Sequence, residues 1–245
     1  MHFPRFWARG RSGPATCWRW SDTSRDDAQH QADARAVELE RLFASGKPFD
    51  RYTYGDRPLR EEIVHAAGDA VVTRNLYGAL VLNTGRAMFI DIDSEHESHA
   101  RSALRAWAAR HAELGVRVYR TAAGLRGLVT SHTFDPKSEQ ALALLRDADS
   151  DPLYVMLCKA QSSFRARLTA KPWRCAMRPP PARWPFEDSA GEQRFRAWQA
   201  EYERASSRYS ACELIETLGV GGDHPEVAAI ASLHDAQACG GRPLA

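Results

Sequence analysis

The sequence predicts an α+β fold: a mostly antiparallel sheet covered by helices, with helical N- and C-terminal extensions. Three observations predict it. Through the middle of the chain, strand-like and helix-like runs follow the order two strands, helix, two strands, helix. The paired strand runs are joined by short turns, as in hairpins. Both ends of the chain carry apolar residues at helical spacing.

Residues 1–23 read as irregular. Residues 24–45, "SRDDAQHQADARAVELERLFAS", read as a helix, with Ser24 as cap, acids in the first turn and Val37, Leu39, Leu42 and Phe43 as its apolar face. "DRPLREEIVHAAG" reads as a second helix, capped by Asp56, with Pro58 in its first turn and Gly68 closing it. The texture then changes. β-Branched and aromatic runs predict strands near 70–75, 77–83 and 87–93, with "NTGR" (83–86) as a hairpin turn. Residues 94–115 read as a helix opened by a capping box, Ser94 with Glu97. A second hairpin follows, from "VRVYRT" (116–121) through "AAG" to "LRGLVTS" (125–131). Residues 135–148 read as a helix capped by Asp135, and "PLYVMLCK" (152–159) fits strand or helix. The Pro-rich 171–186 stretch interrupts regular structure. The tail predicts helices at about 188–206, 208–218 and 224–238, with ends good to roughly ±2–4 residues. The resulting division is a helical extension over 1–69, an α+β core over 70–186 and a helical segment over 187–245.

Composition narrows the function. Hydrophobic residues make up 44% and charged residues 26% of the 245, a soluble-domain balance with no apolar run long enough to cross a bilayer. The aromatic, basic N-terminus lacks a continuous apolar segment, so no secretory signal and a cytoplasmic location are expected. Five widely spaced cysteines, with no C-x-x-C pair, argue for free thiols rather than a disulfide framework or a zinc knuckle. The net charge of +2 conceals one cationic stretch. Pro152 to Phe186 contains no acid but seven basic residues, among them Lys159, Arg165, Arg167, Lys171 and Arg174, interleaved with Phe164 and Trp173. Basic side chains that meet phosphates add sequence-independent affinity, and the aromatics can stack on bases. The competing reading makes Phe164, Leu168 and Trp173 core residues and the cations a solvated face.

The most informative short stretch is "FIDID" (89–93). Strand periodicity puts Asp91 and Asp93 on one face, their Cα atoms about 6.5–7 Å apart. Two carboxylates at that spacing repel unless a cation lies between them, and Mg²⁺ commonly joins one or two carboxylates to phosphate oxygens. The alternative is a strand end emerging into solvent, with Asp93 capping the next helix. In the second hairpin, Thr121, Gly124 and Arg126 offer backbone N–H groups and a guanidinium suited to a phosphate. An ordinary hairpin with an exposed arginine fits the same residues. His96, His99, His234 and Asp235 read as surface residues.

This order of features, h-D-h-D on a strand, then a helix, then a small-residue glycine hairpin, resembles the archaeo-eukaryotic primase superfamily, which includes the primase-polymerases. The resemblance spans roughly residues 70–175. It implies an RRM-like core and a metal-dependent nucleotidyltransferase. Mg²⁺ or Mn²⁺ would be held by Asp91, Asp93 and a third carboxylate (Asp151, Asp149 or Asp135). Thr121, Gly124, Arg126 and His132 would bind a nucleoside triphosphate, and Lys159, Arg165, Arg167, Lys171, Trp173 and Arg174 would hold DNA or RNA. The family's second-motif histidine is replaced by Arg126, and His132 lies six residues later. A catalytically inactive nucleic-acid- or nucleotide-binding protein on the same scaffold is one alternative. A haloacid-dehalogenase-like phosphatase, also built on D-x-D after an apolar strand, is another.

Overall fold

The computed structural model describes residues 1–46 and 57–245. The fold is α+β, with antiparallel strand pairing throughout its sheets. The chain divides into two compact units, His2–Arg60 and Glu61–Ala245.

The first unit differs from the expected helical extension. Residues 1–23 contain a hairpin of β1 (Phe6–Ser12) and β2 (Ala15–Ser21), packed on helix α1 (Arg25–Ala44). Helix α1 matches its sequence pattern, and Ser24 caps it by accepting from Asp27 N. Its Ala28, Ala32 and Ala36 are fully buried. The small residues let the hairpin come close: a Cβ on Gly10 would sit 2.0 Å from the Ala32 carbonyl oxygen. The hairpin escapes a search for apolar runs because arginines interrupt both of its strands.

In the second unit, β3 (Glu62–Ala67) replaces the predicted helix over 56–68; Asp56, its expected cap, lies outside the described residues. Gly68, read as a helix stop, instead takes φ +58 in the tight turn from β3 to β4 (Ala70–Arg74). β5 (Leu80–Thr84) and β9 (Phe164–Arg167) complete one four-stranded sheet, in the order β3-β4-β5-β9. β6 (Phe89–Asp93), β7 (Val116–Thr121), β8 (Gly124–Val129) and β10 (Cys212–Leu218) form the other, in the order β10-β7-β8-β6.

Residues 83–86 are therefore no hairpin turn: the chain leaves one sheet after β5 and enters the other at β6. Asp69 holds this crossing by accepting from Thr84 Oγ1 and from Gly85 N. β10 likewise replaces the helix expected over 208–218. Leu214, Ile215 and Leu218 mimic a helical stripe, yet the segment pairs with the outer edge of β7.

The remaining helices are α2 (Glu97–Arg110), α3 (Glu139–Asp147), α4 (Pro152–Gln161), α5 (Ser189–Ser206) and α6 (Pro225–Ala238). Ser94 and Glu97 form no capping box. The N-cap of α2 is His96 without a side-chain bond, and Glu97 instead accepts from Arg120 Nε at 2.8 Å. Ser138, not Asp135, caps α3. The ambiguous 152–159 segment is helical because Asp151 caps it, accepting from Tyr154 N at 2.7 Å, and Pro152 fits its first position. No helix among the described residues is long and apolar enough to cross a membrane.

Candidate active site

Strands β6, β8 and β7 place Asp91 opposite Arg126, and Arg126 opposite Tyr119, so the three side chains share one face. Asp93 lies one pleat further along that face, opposite Gly124. Gly124 is required there by crowding. It adopts φ +151, and a Cβ would stand 2.0 Å from the Ile92 carbonyl oxygen. The other face of β7 carries Arg120, which bonds Glu97 of α2, so α2 covers the sheet on the side away from the aspartates.

The free edge of β6 is closed by the start of α4. Asp91 N donates to Ser150 Oγ at 3.1 Å, Ser150 Oγ donates to the Asp91 carbonyl at 3.0 Å, and Asp151 N donates to the same carbonyl at 2.7 Å. Tyr154 then joins the two sheets. Its hydroxyl donates to the Phe89 carbonyl at 3.0 Å and accepts from Arg165 N at 3.2 Å, linking the edge of β6 to the edge of β9. That junction brings Arg167 toward the aspartates: Arg126 Nη1 donates to the Arg167 carbonyl at 3.0 Å.

Three acids and several cations thus meet, and the charges act on one another. Asp91 retains some solvent contact, yet protein crowds its carboxyl. Burial raises its pKa; Arg126 opposes this, Asp93 reinforces it, Arg167 opposes and Asp151 reinforces, with a net rise. Burial and the neighbouring Arg126 hold Arg167 down to about 10, against the pull of Asp91. Lys171 is lowered by burial and by Arg167 and Arg174, and raised in part by Asp93 and Asp91. Among the described residues, neither Asp91 nor Asp93 closes an ion pair, and buried nitrogens of Arg167 (Nε) and Arg174 (Nη1) have no hydrogen-bond partner. Perturbed, unpaired charges gathered in one place are a common mark of functional sites.

The other expected site residues divide clearly. Of the three candidate third acids, only Asp151 is tied to Asp91; Asp149 sits at φ 57 after α3, and Asp135 turns the chain before it. Thr121 accepts from Ala123 N in its own turn. His132 is exposed and bonded to Ser131, beyond the Val129 end of β8, whereas Asp93 faces the Gly124 end. At roughly 3.3 Å per residue, the six residues from Arg126 carry it far from the acids.

Lys159 pairs with Glu139 well down α4, and Arg165 forms a two-pronged pair with Glu61 at 2.6 and 2.7 Å. Both therefore serve internal contacts. Lys171 lies 5.6 Å from the Trp173 ring centre, and Trp173, 50% exposed, meets the edge of Tyr77 at 5.2 Å. Trp173 is not core, whereas Phe164 and Leu168 are.

Arg126 is the main correction to the sequence reading. It is 4% exposed rather than a free surface arginine, and its Nη1 also reaches His234 Nε2 at 2.9 Å. His234, expected at the surface, is fully buried between the rings of Phe89 and Tyr119, and its Nδ1 faces Asp235 at 2.8 Å. Because a guanidinium only donates, Nε2 must accept, and the ring proton sits on Nδ1 toward Asp235. The sequence held a signal for this. Val227, Ile230, Ala231, His234 and Ala238 fall at i, i+3, i+4, i+7 and i+11, an inward helical stripe that includes the histidine.

Comparison with protein-family models, with curated proteins and with solved structures gives no match. The functional reading therefore rests on the geometry of this face.

Proposed function

We propose that the chain is a metal-dependent nucleotidyltransferase of primase-polymerase type, acting on nucleic acid with nucleoside triphosphates. One observation carries the reading: Asp91, Asp93 and Asp151 stand at one strand edge before Arg126, Arg167, Lys171 and Arg174, with Asp91 and Asp93 left out of any ion pair among the described residues. Structural charges usually close on one another; charges left open suit a ligand that carries both signs, such as a metal–triphosphate.

The residues fit a divalent ion. Asp91 and Asp93 share a strand face, and their mutual repulsion contributes to the raised pKa of Asp91. Among the described residues no group of three or more His, Cys, Asp or Glu is placed to hold a metal ion by itself. Mg²⁺ needs none, since it commonly takes one or two protein carboxylates and completes its shell with water and phosphate oxygens. Asp91 and Asp93 would hold Mg²⁺ or Mn²⁺, with Asp151 beside them. The bound ion would neutralise charge on the pyrophosphate and favour deprotonation of the attacking hydroxyl. Arg126 and Arg167 would set the electrostatic floor beneath the triphosphate, while Lys171, Arg174 and the exposed Trp173 would receive the nucleic-acid strand.

A second reading, a binding protein without turnover, is favoured by a specific observation. Arg126 is tied internally to His234 and to the Arg167 carbonyl, and Asp151 uses one carboxylate oxygen as a helix cap. The phosphatase reading has no such support: β6 is the sixth strand and pairs antiparallel, not an opening strand carrying a nucleophile.

Incubation with Mg²⁺ or Mn²⁺, labelled nucleotides and a primed template decides between the first two. Extension that depends on Asp91 and Asp93 supports the transferase. Salt-sensitive binding that ignores both metal and aspartates, with no extension, supports the binding protein.

A further inference from the structure

Beneath Arg126, on the side away from the acids, lies a pair of cysteines that the proposed chemistry does not use. Cys212 is the first residue of β10 and is fully buried; Cys239 is the C-cap of α6 and is partly exposed. Their sulfurs are 3.7 Å apart. The backbone already holds the two segments together, because Ala211 N donates to the Ala238 carbonyl at 2.9 Å, one residue before each cysteine. Arg126 Nη1 and His234 Nε2 each lie 3.8 Å from the Cys212 sulfur.

The geometry points to a modification site: Cys212 and Cys239 form an oxidisable dithiol that a small hydroperoxide closes to a disulfide, fastening the end of α6 to β10. A disulfide needs an S–S separation of about 2.05 Å, so the sulfurs, 3.7 Å apart, must approach by roughly 1.6–1.7 Å. Cys239 can supply that movement. It has left helical geometry, at φ −97 and ψ 161, and is followed by Gly240 and Gly241, of which Gly241 has open space at its Cβ position.

The electrostatics also suit the reaction. The hydrogen bond from Cys239 lowers the Cys212 pKa, against burial, with help from the Arg126 guanidinium. Cys239 is displaced upward by that same bond and by burial. Cys212 is thus the more thiolate-like sulfur of the pair, and the thiolate is the nucleophilic form. By contrast, burial pushes Cys158 up to about 12 and raises Cys175, so both remain inert thiols.

The step balances with the peroxide as oxidant. The Cys212 thiolate attacks one peroxide oxygen, the O–O bond breaks, and the other oxygen leaves as hydroxide, which takes a proton from a buffer acid to become water. The Cys239 sulfur then attacks the sulfenic sulfur, the S–O bond breaks, and the departing hydroxide takes the Cys239 proton to leave as water. Two electrons pass from the sulfurs to the peroxide. The closed bond also removes the thiolate charge beside Arg126.

Purified full-length protein, treated with hydrogen peroxide, alkylated under denaturing conditions and digested without reductant, tests the proposal. The expected product is a single cross-linked peptide pair containing Cys212 and Cys239. It should revert with dithiothreitol and be absent from Cys239→Ser, while Cys17, Cys158 and Cys175 remain alkylated. Recovery of all five cysteines as free thiols, over-oxidation of Cys212 without a cross-link, or a different pair forming first overturns it. The wild-type digest alone decides, so the folding of any variant does not enter.

Discussion

The α2 face of the β10-β7-β8-β6 sheet and the β6 side of its other face treat charge in opposite ways. On the face toward α2, the charges close. Glu216 accepts from Arg101 at 2.6 Å and from Arg105 at 2.7 Å, and Arg120 bonds both Glu97 and Glu213. On the other face Arg117 of β7 still closes on Asp223 and Asp235, but at β6 Asp91 and Asp93 take part in no ion pair with described residues, although Arg126 stands directly across the ladder from Asp91. The same strands supply both faces, so the difference lies in what the side chains leave for others. Closed pairs fasten a helix to a sheet. Open ones cost stability and are retained where a ligand completes them.

The largest expected effect sharpens that contrast. On the proposed function, Asp91→Ala or Asp93→Ala should lower metal-dependent nucleotide incorporation on the order of 10³-fold, since several kcal/mol of charge stabilisation would depend on the ion they would hold. Glu216→Gln, on the closed face, should leave incorporation near wild type. A primer-extension assay of all three measures this; equal losses would erase the distinction between the faces.

Next comes a pair of arginines on one strand. Arg165 closes on Glu61, which is nearly buried, whereas Arg167 has a buried Nε without a partner. Removing Arg165 strands a buried carboxylate, and Arg165→Ala should cost about 3–5 kcal/mol in urea unfolding. Arg167→Ala should cost far less and should instead weaken binding of inorganic tripolyphosphate. A large stability loss from Arg167→Ala would mean that it, too, is structural.

A smaller effect has the opposite sign. The pKa of Asp91 is raised, chiefly by burial, so its ionisation costs the fold stability as pH rises through the folded value. Asp91→Asn should therefore stabilise the metal-free protein near neutral pH, on the order of 1 kcal/mol or about 2–4 °C in Tm. The gain should fade as pH falls through the raised folded value and be gone below about 4, where the carboxyl is protonated in the folded and unfolded chains alike. Saturating Mn²⁺ should raise the Tm of wild type and not of the variant.

How much of this was legible depended on range. The α+β class and the strand carrying Asp91 and Asp93 follow from local periodicity, and α1, α5 and α6 follow from helical apolar spacing. What failed were segments whose state is set by the strand they pair with rather than by their own periodicity. Residues 212–218 carry a helical stripe but complete the edge of β7, and 62–67 become a strand because β4 lies a tight turn away. The site divides in the same way. Asp91 and Asp93 are paired by sequence alone, but Arg126 could not be seen as buried without α6, which arrives 108 residues later with His234. His132 was drawn in by strand parity, yet the strand ends at Val129.

The smallest effect returns to the closed face. Burial pushes the Glu216 carboxyl up, but the bonds from Arg101 and Arg105 outweigh it, and the net pKa is lowered. A carboxyl lowered in the folded state adds stability above its unfolded pKa of about 4.3, and that stability is lost as pH falls through the folded value. Glu216→Gln keeps the shape and loses the charge. It should cost less than about 1 kcal/mol at pH 7, because Arg105 remains half exposed and water screens the pair. The difference from wild type should shrink below pH 4 and diminish in high salt. Thermal unfolding across pH therefore gives the two faces opposite signatures: a penalty confined to higher pH for Glu216→Gln, and over the same range a gain for Asp91→Asn. Slopes of the same sign would show that Asp91 is held by its neighbours as Glu216 is, and that the acid face is as closed as the other.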